Sequence, residues 1–142
     1  MALKFRITNR FERVVVGAIA ALAFIGFLVA EAQSERLAMT LAVRNMRSGL
    51  QWAVAEHLLR GKDNRLGDLV DANPIDFLGR GGENAKLSSR WQFDGEHHEI
   101  VYRPRITLAF GGSSELRWRV MGTTEPDGRV MGVRLVEVPS RD

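Results

Sequence analysis

The polar residues that could do chemistry are few, and the most conspicuous are His97 and His98, which stand between Glu96 and Glu99. Imidazole and carboxylate groups are common metal ligands. Adjacent residues of a strand point to opposite faces, so the two imidazoles are not expected to converge on one ion. The pattern instead predicts a solvated hairpin turn at this position.

The other candidate side chains do not form a catalytic or cofactor site. His57 lacks a second histidine at the spacing of a helical metal site, and we expect it to be a partly buried packing residue. Three arginines could line one sheet face beside Trp118 but are interleaved with glutamates, which predicts cross-strand charge pairs; they are Arg117, Arg119 and Arg134. The chain has no cysteine, which excludes a thiol nucleophile and a thiolate metal site. We therefore expect no enzymatic activity, no cofactor and no metal.

The elements that position these residues are organised around an uninterrupted apolar run from Val14 to Ala30. Its seventeen residues would span about 26 Å as a helix, which is the short end of what crosses a bilayer. Basic residues precede the run, and Glu31 and Glu35 follow it. This asymmetry predicts a single-pass protein of the inner (cytoplasmic) membrane, with a cytoplasmic N-terminus and a periplasmic C-terminal domain.

The charge of the chain is concentrated before the apolar run. Residues 1–13 contain four of the 20 basic residues and one of the 17 acidic residues, which leaves sixteen of each from Val14 onward. The net positive charge therefore belongs to the leader rather than to the folded part. Nucleic-acid binding, which needs basic side chains gathered on one face of a domain, is not expected.

A cleaved signal peptide is the rival interpretation of the apolar run, because Ala30-Glu31-Ala32 resembles a cleavage site. The run is longer than an ordinary signal-peptide core, however, and the helical pattern continues beyond it. Apolar residues recur at steps of three or four; they are Met39, Val43, Met46, Leu50 and Ala53. We therefore predict one long helix from Glu12 to Arg60, whose part beyond the apolar run is weakened only by Gly49.

The end of this helix and the region after it are predicted in less detail. Trp52, Val54, Leu58 and Leu59 widen the apolar stripe, and we expect the globular domain to pack there. Arg36, Arg44, Arg47, Glu35 and Glu56 fall largely off the stripe and should face water. In the connecting region, residues 61–90, Arg65 to Val70 could form a helical turn that Asn73-Pro74 ends. Gly79, Gly81 and Gly82 predict an irregular, mobile loop.

From Trp91 onward the period of the apolar residues changes from 3.6 to two. Strands are predicted around Phe93, Ile100, Trp118 and Val130 to Val138, with turns at Asp94-Gly95 and Pro126-Asp127-Gly128. The alternation of Ile106, Leu108 and Phe110 predicts a further strand segment, and Leu135-Val136 predicts an irregularity in the last strand. The chain is thus expected to be α+β, in five parts: a basic leader (1–13), a transmembrane half-helix (14–30), an amphipathic half-helix (31–60), the connecting region (61–90), and an antiparallel meander of about four strands (91–142) that covers the helix.

Glu12 stands directly before this membrane helix, where a carboxylate is costly unless it is paired or held at the interface. The segment Phe11-Glu12-Arg13-Val14-Val15-Val16, followed by GAIAALAFIG, resembles the N-terminus of type IV pilins and type II secretion pseudopilins. Asn73 to Leu78, Trp91 to Asp94 and Glu99 to Arg103 are similar to the loop and first hairpin of the minor pilin-like proteins of mannose-sensitive haemagglutinin (MSHA) pilus biogenesis. The likeness covers most of the chain.

The resemblance implies a non-enzymatic protein that takes part in the assembly of a type IV pilus or a type II secretion pseudopilus. Its partners would be other pilin-like subunits or inner-membrane assembly proteins. The implied contacts lie on the N-terminal helix; they are Glu12, Val14, Val15, Val16, Gly17 and Gly26. Prepilin peptidase cuts its substrates after a leader glycine, whereas residues 1–13 contain no glycine. The resemblance therefore does not extend to a processing site.

A second function stays open at this point. The chain could be a membrane-anchored or secreted periplasmic binding module unrelated to pili. That function would require Asn73 to Leu87 to form a defined pocket rather than a connector.

Overall fold

The structure, a computed structural model, describes residues 2–79 and 87–141, and only the backbone of residues 2–8. One α-helix is followed by three short 3₁₀-helices and four strands. In chain order the elements are α1 (Ala2–Leu59), η1 (Asp63–Leu69), η2 (Pro74–Phe77), β1 (Trp91–Asp94), β2 (Glu99–Tyr102), η3 (Thr107–Phe110), β3 (Leu116–Thr124) and β4 (Val130–Val138). Helix α1 begins ten residues before the predicted start at Glu12.

The four strands form one antiparallel sheet in the order β1-β2-β3-β4, in which each strand pairs with its neighbour in sequence. One face of this meander packs on the second half of α1. The arrangement follows from two apolar surfaces, one on a helix and one on a sheet, that are buried together. The predicted α+β architecture, a long helix covered by an antiparallel meander, is confirmed.

The core lies between α1 and the inner face of the sheet. The predicted helix stripe is confirmed, because Val43, Met46, Leu50 and Ala53 are buried and Met39 packs against them. On the sheet, alternate residues face the helix; the buried ones are Trp91, Ile100, Tyr102, Trp118, Val120 and Leu135. The Trp91 ring lies 4.7 Å from the Tyr102 ring and 5.5 Å from the Trp118 ring, measured between centroids, so aromatic packing closes one end of this core.

Gly49 is the point of closest approach between α1 and η2. A Cβ atom at this position would overlap the carbonyl oxygen of Phe77 and lie 2.7 Å from the carbonyl carbon. Helix η2 begins after Asn73, whose side-chain oxygen accepts a hydrogen bond from the Ile75 amide at 3.0 Å. Two residues of η2 itself, Pro74 and Phe77, are buried. The glycine that weakens the helix pattern is therefore the residue that lets η2 cover the core.

Two details of the predicted sheet are wrong. Ile106 to Phe110 does not continue a strand: β2 ends at Tyr102, and Thr107–Phe110 forms η3, because Pro104 lacks an amide hydrogen and the amides of Arg105 and Ile106 bond elsewhere. The irregularity of β4 lies near its start rather than at Leu135-Val136. The register shifts between Thr123 and Thr124, and Met131 is the extra residue.

The connecting region is described on either side of residues 80–86. The predicted helical turn after Arg65 is part of η1, and Gly79 has a positive φ of 80°. Gly81 and Gly82, for which a mobile loop is predicted, lie outside the described residues. The described part of the segment from Asn73 packs on α1 through Pro74 and Phe77.

Candidate subunit-contact surface

Helix α1 is exposed over the part of its first half whose side chains are described. Every residue from Asn9 to Ala30 is exposed, including the six predicted contact residues, Glu12, Val14, Val15, Val16, Gly17 and Gly26. Large apolar side chains are included, such as Leu22, which is 69 % exposed. Over this segment α1 is long and apolar enough to cross a membrane. No neighbouring atom lies within 4 Å of a Cβ built at Gly17 or Gly26, so both are open to close approach by another helix.

The period of an α-helix divides the six predicted residues between two sides of α1. At 3.6 residues per turn, Glu12, Val16 and Gly26 fall on the side opposite to the sheet, and Val15 falls at the edge of that side. Val14 and Gly17 fall on the side that, further along α1, carries the core residues. Three of the predicted contact residues thus lie on the side of α1 that, in its second half, points away from the sheet.

The outward side of the second half of α1 carries four exposed apolar side chains, with the exposed polar residues Arg44 and Ser48 between the second and the third of them. Leu37, Leu41, Trp52 and Leu59 point away from the sheet and are 61 %, 47 %, 60 % and 88 % exposed. Together with the same side of the first half, they form a surface that we call the free face of α1. Its members follow one another at steps of three, four or seven residues; they are Glu12, Val16, Ile19, Ala23, Gly26, Ala30, Leu37, Leu41, Ser48, Trp52, Ala55 and Leu59. The free face therefore runs from the apolar run onto the domain without a change of side.

The prediction that the domain packs on the widened stripe is confirmed for Val54, which lies against the core, and is wrong for Trp52, Leu58 and Leu59. Leu58 is 51 % exposed, and Trp52 and Leu59 lie on the free face. A shallow groove of about 560 Å³ lies here and is lined by Trp52, Ala55, Glu56, Leu59 and Arg60. Glu56 and Arg60 form an ion pair at 2.7 Å beside it. The apolar stripe near the end of α1 therefore has two sides, and only the one with Leu50 and Ala53 meets the sheet.

Glu12 begins the free face with a charge. Among the residues whose side chains are described, none forms a hydrogen bond or an ion pair with the Glu12 carboxylate. A carboxylate at the edge of a membrane favours a cationic partner or the headgroup region. Glu12 can therefore accept hydrogen bonds from a basic group that approaches along this side of the helix.

A cluster around Glu35 ties the domain to the first turns of α1 beyond the apolar run. The Glu35 carboxylate accepts hydrogen bonds from the Tyr102 hydroxyl at 2.9 Å and from the amides of Arg105 and Ile106 at 2.6 and 3.0 Å. One turn earlier, Glu31 forms an ion pair with the Arg105 side chain. The prediction that Glu35 faces water is therefore wrong, because its carboxylate satisfies backbone amides that no strand partner reaches.

The pKa values of this cluster follow from its hydrogen bonds. Burial opposes ionisation of Glu35, but the hydrogen bonds from the Arg105 amide, Tyr102 and the Ile106 amide outweigh it, so the pKa lies below the ordinary 4.5. Burial, and then the hydrogen bond to Glu35, raises the pKa of Tyr102 from 10.0 to about 12. The stabilisation by Glu35 is present above pH 4.5 and is lost as the pH falls through its lowered pKa. The stabilisation by Tyr102 is present below pH 10 and is lost as the pH rises through about 12.

The outer face of the sheet carries a charge network centred on Arg117. Its guanidinium contacts Glu115 at 2.6 Å, Glu99 at 3.0 Å and Asp94 at 3.4 Å. The hydrogen bond to Glu115 is the main cause of a raised Arg117 pKa, which burial opposes. Glu99 is 3 % exposed and is also paired with Arg141 at 2.9 Å. The predicted charge pairs are thus confirmed for Arg117, although they also use Glu115, which directly precedes β3.

The other two predicted arginines differ from Arg117. Arg119 pairs at 2.7 Å with Asp71, which precedes η2, rather than with a glutamate across the sheet. Arg134 is exposed on β4. Trp118 does not lie beside these arginines, because alternate residues of β3 face opposite sides and Trp118 faces α1. The network holds the outer face of the sheet together, and each carboxylate named here has a basic partner.

The histidines lie where the sequence predicts. Residues 95–98 form the turn between β1 and β2, and His98 has a positive φ of 55°. The Asp94 carboxylate contacts the His97 ring at 2.9 Å and accepts a hydrogen bond from the Glu96 amide at 3.1 Å. His57 is half-buried, with its Nδ1 atom 2.9 Å from the Ala53 carbonyl oxygen. Across the described ranges, no three His, Asp or Glu side chains are grouped to hold a metal ion.

Sequence reasoning missed the Glu35 cluster. Its signal was the spacing of Glu35 and Met39, four residues apart, which places Glu35 on the same side of α1 as the core. Comparison with known proteins adds no further assignment: the chain matches no protein-family model, no curated protein and no solved structure.

Proposed function

We propose that this chain is a non-enzymatic, pilin-like protein of the inner membrane that takes part in the assembly of a type IV pilus, of the MSHA kind, or of a type II secretion pseudopilus. The observation that carries the proposal is the free face of α1. It presents apolar side chains to solvent from Val16 to Ala30 and again at Leu37, Leu41, Trp52 and Leu59, and none of the described elements of the domain covers it.

An exposed stripe of this kind is unusual for a protein that acts alone. Contiguous exposed apolar surface on a soluble domain marks an interaction site. Leu37, Leu41 and Trp52 lie beyond the apolar run, so lipid tails cannot cover them. Another helix that enters the same membrane and leaves it on the same side can cover both halves of the free face at once. The partner is therefore a subunit with its own long N-terminal helix.

The small residues of the free face support a helical partner. Ala23, Gly26 and Ala30 follow one another at steps of three and four. Small side chains let two helix backbones come close in a bilayer, where van der Waals packing rather than the hydrophobic effect drives association. The Leu and Trp side chains of the second half add hydrophobic burial outside the membrane. The two halves of one face thus suit the two environments that such a helix pair would cross.

The leader and Glu12 orient the chain within this proposal. The basic residues of the leader stay in the cytoplasm, and the domain lies on the opposite side of the membrane. Glu12 then lies near the cytoplasmic headgroups and pairs with a basic group of the neighbouring subunit. The sheet packs on the other side of α1, so the domain lies away from the partner.

Deletion of the gene in its native host, with complementation, tests the proposal. The deletion strain should lose surface pili or type II secretion, and the wild-type gene should restore what was lost. Leu41→Glu should fail to restore it, because a charge on the free face cannot be buried between two helices. Met131→Glu is the matched control, since Met131 is 52 % exposed on β4 and lies off the free face.

Immunoblots must show equal amounts of the two variants in the membrane. A deletion strain with normal pili and normal secretion would refute the assembly function. Restoration by Leu41→Glu to the wild-type level would leave a role in assembly but refute the use of the free face.

A further inference from the structure

The connection between β2 and β3 lies at the end of the sheet nearest to the apolar run. Tyr102, the last residue of β2, pairs with Leu116, the first residue of β3. The Tyr102 hydroxyl bonds to Glu35, and the Arg105 side chain pairs with Glu31. Tyr102, Arg105 and Ile106 therefore lie level with the first turns of α1 beyond Ala30.

The rise of α1 gives the height of this connection above the membrane. Glu31 is one residue beyond Ala30 and Glu35 is five, which correspond to about 1.5 and 7.5 Å along the helix axis. Headgroups occupy about 5–8 Å on each side of the hydrocarbon core. If Val14 to Ala30 cross the bilayer, residues 105 and 106 lie among the headgroups.

The connection presents a large apolar side chain at this height. Leu108, in η3, is 87 % exposed, while Phe110 of the same turn packs on Tyr102 with a centroid distance of 5.9 Å. Gly111 and Gly112, with φ values of 67° and 87°, turn the chain back toward β3. The turn is thus held by Phe110 on one side and extends Leu108 outward on the other.

The neighbouring charge suits the same surroundings. Arg105 lies three residues before Leu108 in the chain. The Arg105 side chain is 55 % exposed although it pairs with Glu31. Apolar side chains that enter the headgroup region are commonly accompanied by Lys or Arg, which interact with lipid phosphates. An exposed apolar residue three positions from a guanidinium forms the pattern of an interfacial contact.

We propose that the β2–β3 connection is a membrane-surface contact. Leu108 enters the boundary between headgroups and acyl chains of the leaflet that α1 leaves, and Arg105 lies among the phosphates. The domain is thereby held at a fixed height and tilt over the bilayer, with the free face of α1 turned to the side. This inference rests on α1 crossing the membrane and does not depend on assembly into a pilus or pseudopilus.

Single-cysteine labelling of the full chain tests the contact, because the natural sequence has no cysteine. The variant Leu108→Cys would carry an environment-sensitive fluorophore in vesicles of phosphatidylethanolamine and phosphatidylglycerol. Some of the lipids would carry a nitroxide quencher on the acyl chain near the headgroup. Leu59→Cys is the matched control: Leu59 is 88 % exposed and lies about 44 Å along α1 beyond Ala30. Ile19→Cys, inside the apolar run, is the positive control.

The label at position 108 should be quenched at least about threefold more strongly than the label at position 59, since interfacial side chains reach about 5–10 Å into the leaflet. Equal quenching at positions 108 and 59, with strong quenching at position 19, would overturn the contact and leave the membrane helix intact. Weak quenching at all three positions would overturn the membrane helix and the contact with it. Neither result would depend on pilus assembly or secretion.

Discussion

Replacement of Gly49 by alanine should destabilise the protein although it improves the helix. Alanine is favoured over glycine in a helix interior by about 1 kcal/mol. At Gly49, however, the new Cβ would overlap the Phe77 carbonyl oxygen, lie 2.7 Å from its carbon and lie 3.1 Å from the Phe77 Cβ. Two of these three atoms belong to the backbone, so a rotamer change cannot relieve the contact.

The size of the effect follows from what must move. Helix η2 has to withdraw from α1, which disturbs the burial of Phe77, a side chain that is 6 % exposed. Overpacking of a core costs about 1–3 kcal/mol. Partial exposure of a buried Phe adds up to about 3 kcal/mol. After the gain in helix propensity, we expect the free energy of unfolding to fall by about 1–5 kcal/mol.

Urea unfolding of the full chain in detergent micelles measures this change. Trp91 and Trp118 are buried in the core, so their fluorescence reports loss of the packed domain. Ser48→Ala is the matched control, because Ser48 is the exposed neighbour of Gly49 and the change should stay within about 0.5 kcal/mol. A Gly49→Ala protein that is as stable as the wild type, or more stable, would refute the close approach of η2.

Three further outcomes are expected. The absorbance of Tyr102, the single tyrosine, should titrate near pH 12, and in Glu35→Gln its midpoint should fall but stay above 10.0, because burial is the larger cause. Arg117→Ala should lower the free energy of unfolding by about 2–3 kcal/mol, since Glu99 stays buried with one partner fewer. Trp52→Ala should change it by less than about 0.5 kcal/mol, because that side chain is 60 % exposed; urea unfolding checks both.

Periodicity predicted the elements that bury a single face. Val43, Met46 and Leu50 recur on one side of a helix, and Trp118 and Val120 recur on one side of a strand. In both cases the repeat has one physical explanation, which is a single buried surface. The α+β arrangement follows because the two surfaces cover each other.

Periodicity could not decide between two apolar sides of one helix. Near its end α1 carries Leu50 and Ala53 on the side that meets the sheet, and Trp52 and Leu59 on the free face. Both sides satisfy the same spacing rule, and only the position of the sheet distinguishes them. The exposed side is the one that carries the functional proposal.

Long-range polar contacts account for two further features that periodicity did not predict. Ile106 to Phe110 alternates like a strand, but Glu35, about seventy residues earlier, accepts hydrogen bonds from the amides that would begin it. Burial of Glu99 depends on Arg117 and on Arg141 near the end of the chain. The local sequence pattern does not indicate contacts with residues so distant in the chain.

Photo-crosslinking at position 41 tests the central claim most directly. A benzoylphenylalanine replaces Leu41, on the free face, or Met131, off that face, in host cells that are assembling pili or secreting. We expect an adduct at position 41 in which mass spectrometry identifies a second subunit with a long apolar N-terminal helix, and no such adduct at position 131. The absence of that adduct at position 41, or equal adducts at both positions, would contradict assembly through the free face of α1.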